Sequence, residues 1–167
     1  MSTLTGFATG FSRGLRVAAV LAVALTIAAC AQNKAQQTAD GNVTPGSAQD
    51  FVVNVGDRIF FETDSTSLTA VAQDTLNKQV QWLRIYPTYT VTVEGHADER
   101  GTRQYNLALG ARRAQITRDY IVSQGIAPNR IRTISYGKER PVAVCNAESC
   151  WSQNRRAVTV LDNAPPS

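Results

Sequence analysis

The sequence predicts a mixed α/β domain of the α+β type, a β-α-β-α-β-β sheet with its helices on one face. Three observations predict it. Leu68, Ala72, Leu76, Val80 and Leu83 recur every three or four residues, as do Gly110, Ala114, Thr117 and Ile121, and each series marks one face of a helix. Short segments rich in β-branched residues flank both series. Pro87, Gly125 and Pro128 cut the segments apart. Helices that alternate with strands bury their apolar stripes on a shared sheet, with right-handed crossovers.

Taken in order, Phe51, Val53 and Val55 alternate, which predicts a first strand, a turn at residues 54–57 and a continuation over residues 58–61. The first helix spans residues 69–85 and stops before Pro87. Residues 88–95 form the second strand. The second helix covers residues 103–123, and Gly125 and Pro128 end it. Residues 131–136 and 156–161 supply the last two strands. The domain thus runs over residues 51–163, and residues 164–167, with Pro165 and Pro166, form a frayed tail. No internal repeat is visible.

The N-terminal segment reads differently. Arg13 and Arg16 precede an apolar stretch from Val17 to Ala29, and two small residues stand before Cys30. Residues 1–29 therefore read as a secretory signal, since thirteen apolar-rich positions fall short of the ~20 that a membrane span needs. The cysteine at the cut resembles a bacterial lipobox, whose Cys is lipidated and becomes the new N-terminus; ordinary cleavage is the alternative. Ala31, not an acidic residue, follows it, which by resemblance to lipoproteins favours the outer membrane. Residues 30–50 then hold the lipidated Cys30 and a linker whose only apolar residues are alanines and one valine, too few to order it. Fully extended, such a linker reaches roughly 65 Å.

Charge and cysteines narrow the function. The formal charge of +4 falls to +2 without the two arginines of the signal, and no dense Lys/Arg run exists, which argues against a nucleic-acid partner. Cys145 and Cys150 have four residues between them in an exported chain and are expected to form a local disulfide. With one distant histidine they fall short of a zinc ligand set. That histidine, His96, also lacks the nucleophile of a hydrolytic triad. Glu94, Asp98 and Glu99 formally offer the two carboxylates of a glycosidase, but the expected reading is a non-catalytic protein with no cofactor.

The residues with binding chemistry follow the second strand. Gly95-His96-Ala97-Asp98-Glu99-Arg100-Gly101 leads into the second helix, where α/β sheets collect ligands. Asn106, Leu109 or Gly110, and Arg113 then share one helix face. A carboxylate on the loop and a guanidinium two turns into the helix can bracket an amino acid head group, since Arg bonds a carboxylate bidentately. An exposed ion pair worth under ~1 kcal/mol is the bland alternative. His96 reads as a loop residue that shapes the site through a backbone hydrogen bond. Of Arg155 and Arg156, Arg156 is the one expected to matter for binding.

Gly95 to Thr102, Tyr105-Asn106, Leu109-Gly110-x-x-Arg113-Ala114, Ser135 to Pro141 and Gln153 to Val158 together resemble the outer-membrane-protein-A-like peptidoglycan-binding family, over about residues 58–161. The resemblance implies that Asp98 and Arg113 hold the diaminopimelate side chain of the peptidoglycan stem, with Asn106 and Leu109 beside them. The family often has Phe-Asp-x-Asp near its first strand, and here the segment is Phe61-Glu62-Thr63-Asp64, so Phe61, Glu62 and Thr63 join the expected site. Thr117 stands where the helix motif commonly has Val. With the lipobox, the resemblance implies a periplasm-facing tether between outer membrane and cell wall, acting in the Tol system with the propeller protein TolB as a partner.

Overall fold

The computed structural model describes residues 43–163. The signal, Cys30 and residues 31–42 of the linker lie outside the described residues, as does the tail at 164–167. Within them, strands β1 (Arg58–Phe60), β2 (Val91–His96), β3 (Ile131–Gly137) and β4 (Arg156–Leu161) form one sheet in the order β1-β4-β2-β3. β4 runs antiparallel to both β1 and β2, and β2 runs parallel to β3. Helices α1 (Ala48–Asp50), α2 (Ala70–Ile85), α3 (Arg103–Ser123) and α4 (Glu148–Asn154) complete the unit. The chain is an α+β fold with a mixed sheet.

Both long helices begin at a threonine cap. Thr69 accepts from the Ala72 N–H at 3.1 Å and Thr102 from the Tyr105 N–H at 3.2 Å, each satisfying one of the orphan donors of a helix start. They cover the same sheet face. Gly95 and Ala157 are cross-strand partners, so they and Thr159 point one way. α3 lies against Gly95, and α2 reaches Thr159 through Gln79, whose Oε1 accepts from the Thr159 hydroxyl at 2.8 Å. The core between them includes Ile59, Leu76, Val80, Leu83, Val91, Val93, Ala114, Ile121 and Ile131.

The close approach of α3 to β2 depends on two glycines. A Cβ on Gly95 would sit 1.8 Å from the Gly110 carbonyl oxygen, and one on Gly110 would sit 2.5 Å from the Ser135 hydroxyl. Neither atom fits, so only glycine lets the two backbones touch. This contact sets α3 against the end of β2, with the side chains of its first turns next to the loop that follows.

Two elements differ from expectation. Residues 51–56 are not a strand: α1 continues into a wider helical turn, Phe51–Gly56. Ser47 caps α1 by accepting from the Asp50 N–H at 3.1 Å, and the Asp50 carboxylate accepts from the Trp82 indole at 2.8 Å and from Asn54 at 2.9 Å. Phe51 is buried edge-on to Trp82, with ring centroids 5.0 Å apart, while Val52 and Val53 stay exposed. Capping and one aromatic anchor outweigh the β preference of three valines. Residues 44–50 therefore dock on the domain, with the Tyr89 hydroxyl bonded to the Gly46 carbonyl at 2.8 Å, although sequence placed them in the linker. The second difference is α4, a helix that the sequence did not announce. Cys145 and Cys150 are bonded across its start, with Cα atoms 5.7 Å apart. Asn154 at its end accepts from the Val142 N–H at 2.8 Å and donates to the Ala143 carbonyl at 2.7 Å, tying down the preceding loop.

Candidate functional site

The loop between β2 and α3 is held from three sides. The Ala97 N–H donates to the Gly137 carbonyl at 2.8 Å, and the Lys138 ammonium donates to the carbonyls of Glu99 at 3.0 Å and Gly101 at 2.7 Å. Asn106, itself buried, donates its amide N–H to the Arg100 carbonyl at 2.7 Å. Gly101 takes a φ of 86°, a left-handed turn that glycine adopts without strain. The loop is thereby fixed over the first turns of α3.

Under it opens a cleft of about 350 Å³, lined by Thr63, Asp64, Asp98, Arg100, Gly101, Tyr105, Asn106, Leu109 and Arg113. Two carboxylates and two guanidinium groups face one small space, a balance suited to a ligand with both charges. The Asp98 carboxylate forms one end. It accepts from the Arg100 backbone N–H at 3.1 Å, from Arg100 Nε at 3.2 Å and Nη2 at 2.7 Å, and from Arg155 Nη1 at 3.4 Å. Burial alone would raise its pKa, but the Arg100 hydrogen bonds and charge, helped by Arg155, hold it below the usual carboxylate range. Asp98 is ionised at neutral pH.

Arg113 lies at the floor. Its side chain is fully buried, at 0% exposure. Nε donates to the Ser65 carbonyl at 3.0 Å, Nη1 to the His96 carbonyl at 2.9 Å and Nη2 to the Glu62 carbonyl at 3.2 Å, and the guanidinium sits 5.1 Å from the Phe61 ring centroid. Three of its five N–H groups are therefore committed to backbone. Burial, then repulsion from Arg155, lowers its pKa to about 10, which leaves it charged at neutral pH. Arg113 ties residues 62–65 to the end of β2 and places a positive charge beneath the cleft.

His96 contributes as sequence suggested, through a backbone hydrogen bond, but its imidazole points elsewhere. Both ring nitrogens are buried without a hydrogen-bond partner, and the Glu94 carboxylate stands 3.6 Å from Nε2. Burial first, then the charges of Arg156 and Arg140, lower its pKa to about 4, so the ring is neutral.

The other expected residues separate into two groups. Thr63, Asn106 and Leu109 line the cleft with Asp98 and Arg113. Phe61 does not: it is buried beneath Arg113. The Glu62 side chain faces a neighbouring cleft, and only its carbonyl meets the site. Arg156 is a correction. It is buried and donates to the carbonyls of Asn154 and Arg140, away from the cleft, whereas Arg155 contacts Asp98. Successive residues entering a strand point to opposite sides, so one member of the pair reaches the site and the other does not. Arg100, which is not among the expected site residues, covers Asp98 and also stacks 4.3 Å over the Trp151 ring. Its place two residues after Asp98, a spacing that permits local side-chain-to-backbone bonding, was the available signal.

Residues 60–155 match the model of the OmpA family. The chain is 64% identical over 153 residues to the peptidoglycan-associated lipoprotein of Rhizobium meliloti, covering 89% of this chain and 87% of the relative. It is 60% identical over 155 residues to the protein of the same name from Brucella melitensis, covering 89% and 92%. The crystal structure of the peptidoglycan-associated lipoprotein from Burkholderia pseudomallei superposes with a TM-score of 0.65 at 34% identity, covering 69% of this chain and 99% of that one. With its mixed sheet, its cleft beside β2 and these relatives, the chain belongs to the OmpA family, among its peptidoglycan-associated lipoproteins.

Proposed function

We propose that this protein is a non-catalytic tether that grips the diaminopimelate residue of peptidoglycan stem peptides in the Asp98–Arg113 cleft. Its other end is held in the outer membrane by lipid on Cys30. The observation that carries the reading is the charge-balanced cleft itself, small enough for one amino acid head group and built by the residues that the family resemblance singles out. The relatives named above are called peptidoglycan-associated, which supports the same ligand.

In this reading the ligand ammonium takes the Asp98 carboxylate and the ligand carboxylate settles over Arg113. A buried cation acts strongly across a cleft of low dielectric, and two N–H groups of Arg113 remain outside its backbone bonds. Arg100 holds Asp98 when no ligand is present, so ligand binding exchanges one cation for another. Nothing in this scheme breaks a bond. The propeller protein TolB is a second partner, taken at the rim of the same cleft, within the Tol system.

Sedimentation with purified sacculi tests the assignment. Asp98→Asn removes the charge and keeps the shape, and is expected to weaken binding by about 2 kcal/mol or more, some 30-fold. Wild-type sedimentation by that variant would refute the role of Asp98.

A further inference from the structure

A second cleft, of about 470 Å³, opens beside the first, between the end of β1, the first turn of α2 and α4. Phe60, Glu62, Val71, Glu148, Gln153 and Arg155 are among the residues lining it. The two clefts share a wall. Arg155 is 3% exposed and lines the second cleft, yet its Nη1 reaches Asp98 in the first at 3.4 Å. Glu62 and Thr63, adjacent in the chain, line one cleft each.

Their chemistry differs. The first cleft is charged and balanced, but the second sets Phe60, 48% exposed, and Val71, 76% exposed, among the carboxylates of Glu62 and Glu148 and the amide of Gln153. An aromatic ring and an aliphatic side chain bordered by acceptors and one amide suit a pyranose ring. Its C–H face rests on the apolar surface, and its hydroxyl and acetamido groups bond at the edge. Such large side chains standing in solvent beside a ligand cleft are themselves a sign of a binding surface.

We infer that the second cleft is a subsite for the amino-sugar backbone that carries the stem peptide, with Phe60 as its platform. The inference rests on reading the first cleft as the diaminopimelate site. In peptidoglycan two amino acids and a lactyl link separate that residue from the sugar, and three such units span at most ~10 Å. The clefts are neighbours, since Arg155 lines the second and bonds to Asp98 in the first, and a short link can join ligand groups seated in both. Simultaneous engagement makes the second contact intramolecular, which raises affinity without a new partner.

Calorimetric titration of the full-length protein in detergent with two soluble probes tests this. One probe is the diaminopimelate-containing stem peptide alone; the other is the same peptide on its N-acetylglucosamine–N-acetylmuramic acid disaccharide. The disaccharide-bearing probe is expected to bind about tenfold tighter. Phe60→Ser, at a half-exposed position, and Gln153→Ala are each expected to reduce that advantage and leave the affinity for the bare peptide unchanged. Equal affinity for the two probes in wild type would overturn the sugar subsite and leave the first cleft standing. An advantage that survives Phe60→Ser would also overturn it. No binding of either probe would overturn the reading of the first cleft, and this inference with it.

Discussion

The floor and the rim of the cleft are each built around an arginine, and the two arginines are held in opposite ways. Arg113 is at 0% exposure and bonded to three carbonyls from two segments of chain. Arg100 has a side chain 39% exposed and is bonded to Asp98, the group proposed to take the ligand ammonium. The same chemical group thus serves as scaffold in one place and, on that proposal, as a stand-in for the ligand cation in the other. What separates them is burial and the identity of the acceptor, since a backbone carbonyl has nothing to exchange and a carboxylate does.

Arg113→Glu tests the floor most severely. It buries a carboxylate among three carbonyls that have lost their donor, and is expected to cost about 4 kcal/mol of stability. The reversal therefore damages the fold as well as binding. A denaturant midpoint equal to that of wild type would break the distinction between floor and rim.

Acid titration separates the two regions by pH. The folded-state pKa of His96, about 4, lies below the unfolded value of 6.5, so the unfolded chain binds the proton first. Stability is insensitive to this group above about pH 6.5, falls as pH drops from 6.5 to 4, and loses nothing further below that, a total on the order of 3 kcal/mol. Asp98 is also depressed, from 3.8, so its contribution is present above that value and is lost only as pH falls beneath it. The His96 step comes first and the Asp98 step second. Thermal melts of wild type and His96→Phe across pH 3–7 check this: the variant should lose the upper step, and an upper step that persists would assign it to another group.

Arg100→Gln is the smallest perturbation and sharpens the rim. Removing the internal cation from Asp98 is expected to tighten binding of the bare stem peptide about fivefold. Weaker binding would mean that Arg100 grips the ligand itself.

How much of this was legible in the sequence follows the same division between local and distant causes. α2 and α3 were legible because their apolar spacing and their terminators are local, and helix spacing put Asn106, Leu109 or Gly110, and Arg113 on one face of α3, while the family resemblance singled out Leu109 and added Asp98 on the loop. The turn at residues 51–56 was not, because Phe51 and Asp50 are fixed by Trp82, some thirty residues on. α4 buries only Asn154, so it carries no apolar period to detect. The choice between Arg155 and Arg156 depends on a contact with Asp98 across 57 residues, which no local pattern encodes.

On the proposed function, one small cleft recognises a zwitterionic side chain by both of its charges. The direct measurement is the affinity of the full-length protein for two stem peptides that differ only at the third residue, diaminopimelate in one and lysine in the other. Lysine keeps the ammonium for Asp98 and removes the carboxylate that faces Arg113. Binding at least tenfold weaker is expected for the lysine peptide, a difference of about 1.4 kcal/mol or more; equal affinities would contradict recognition of both charges.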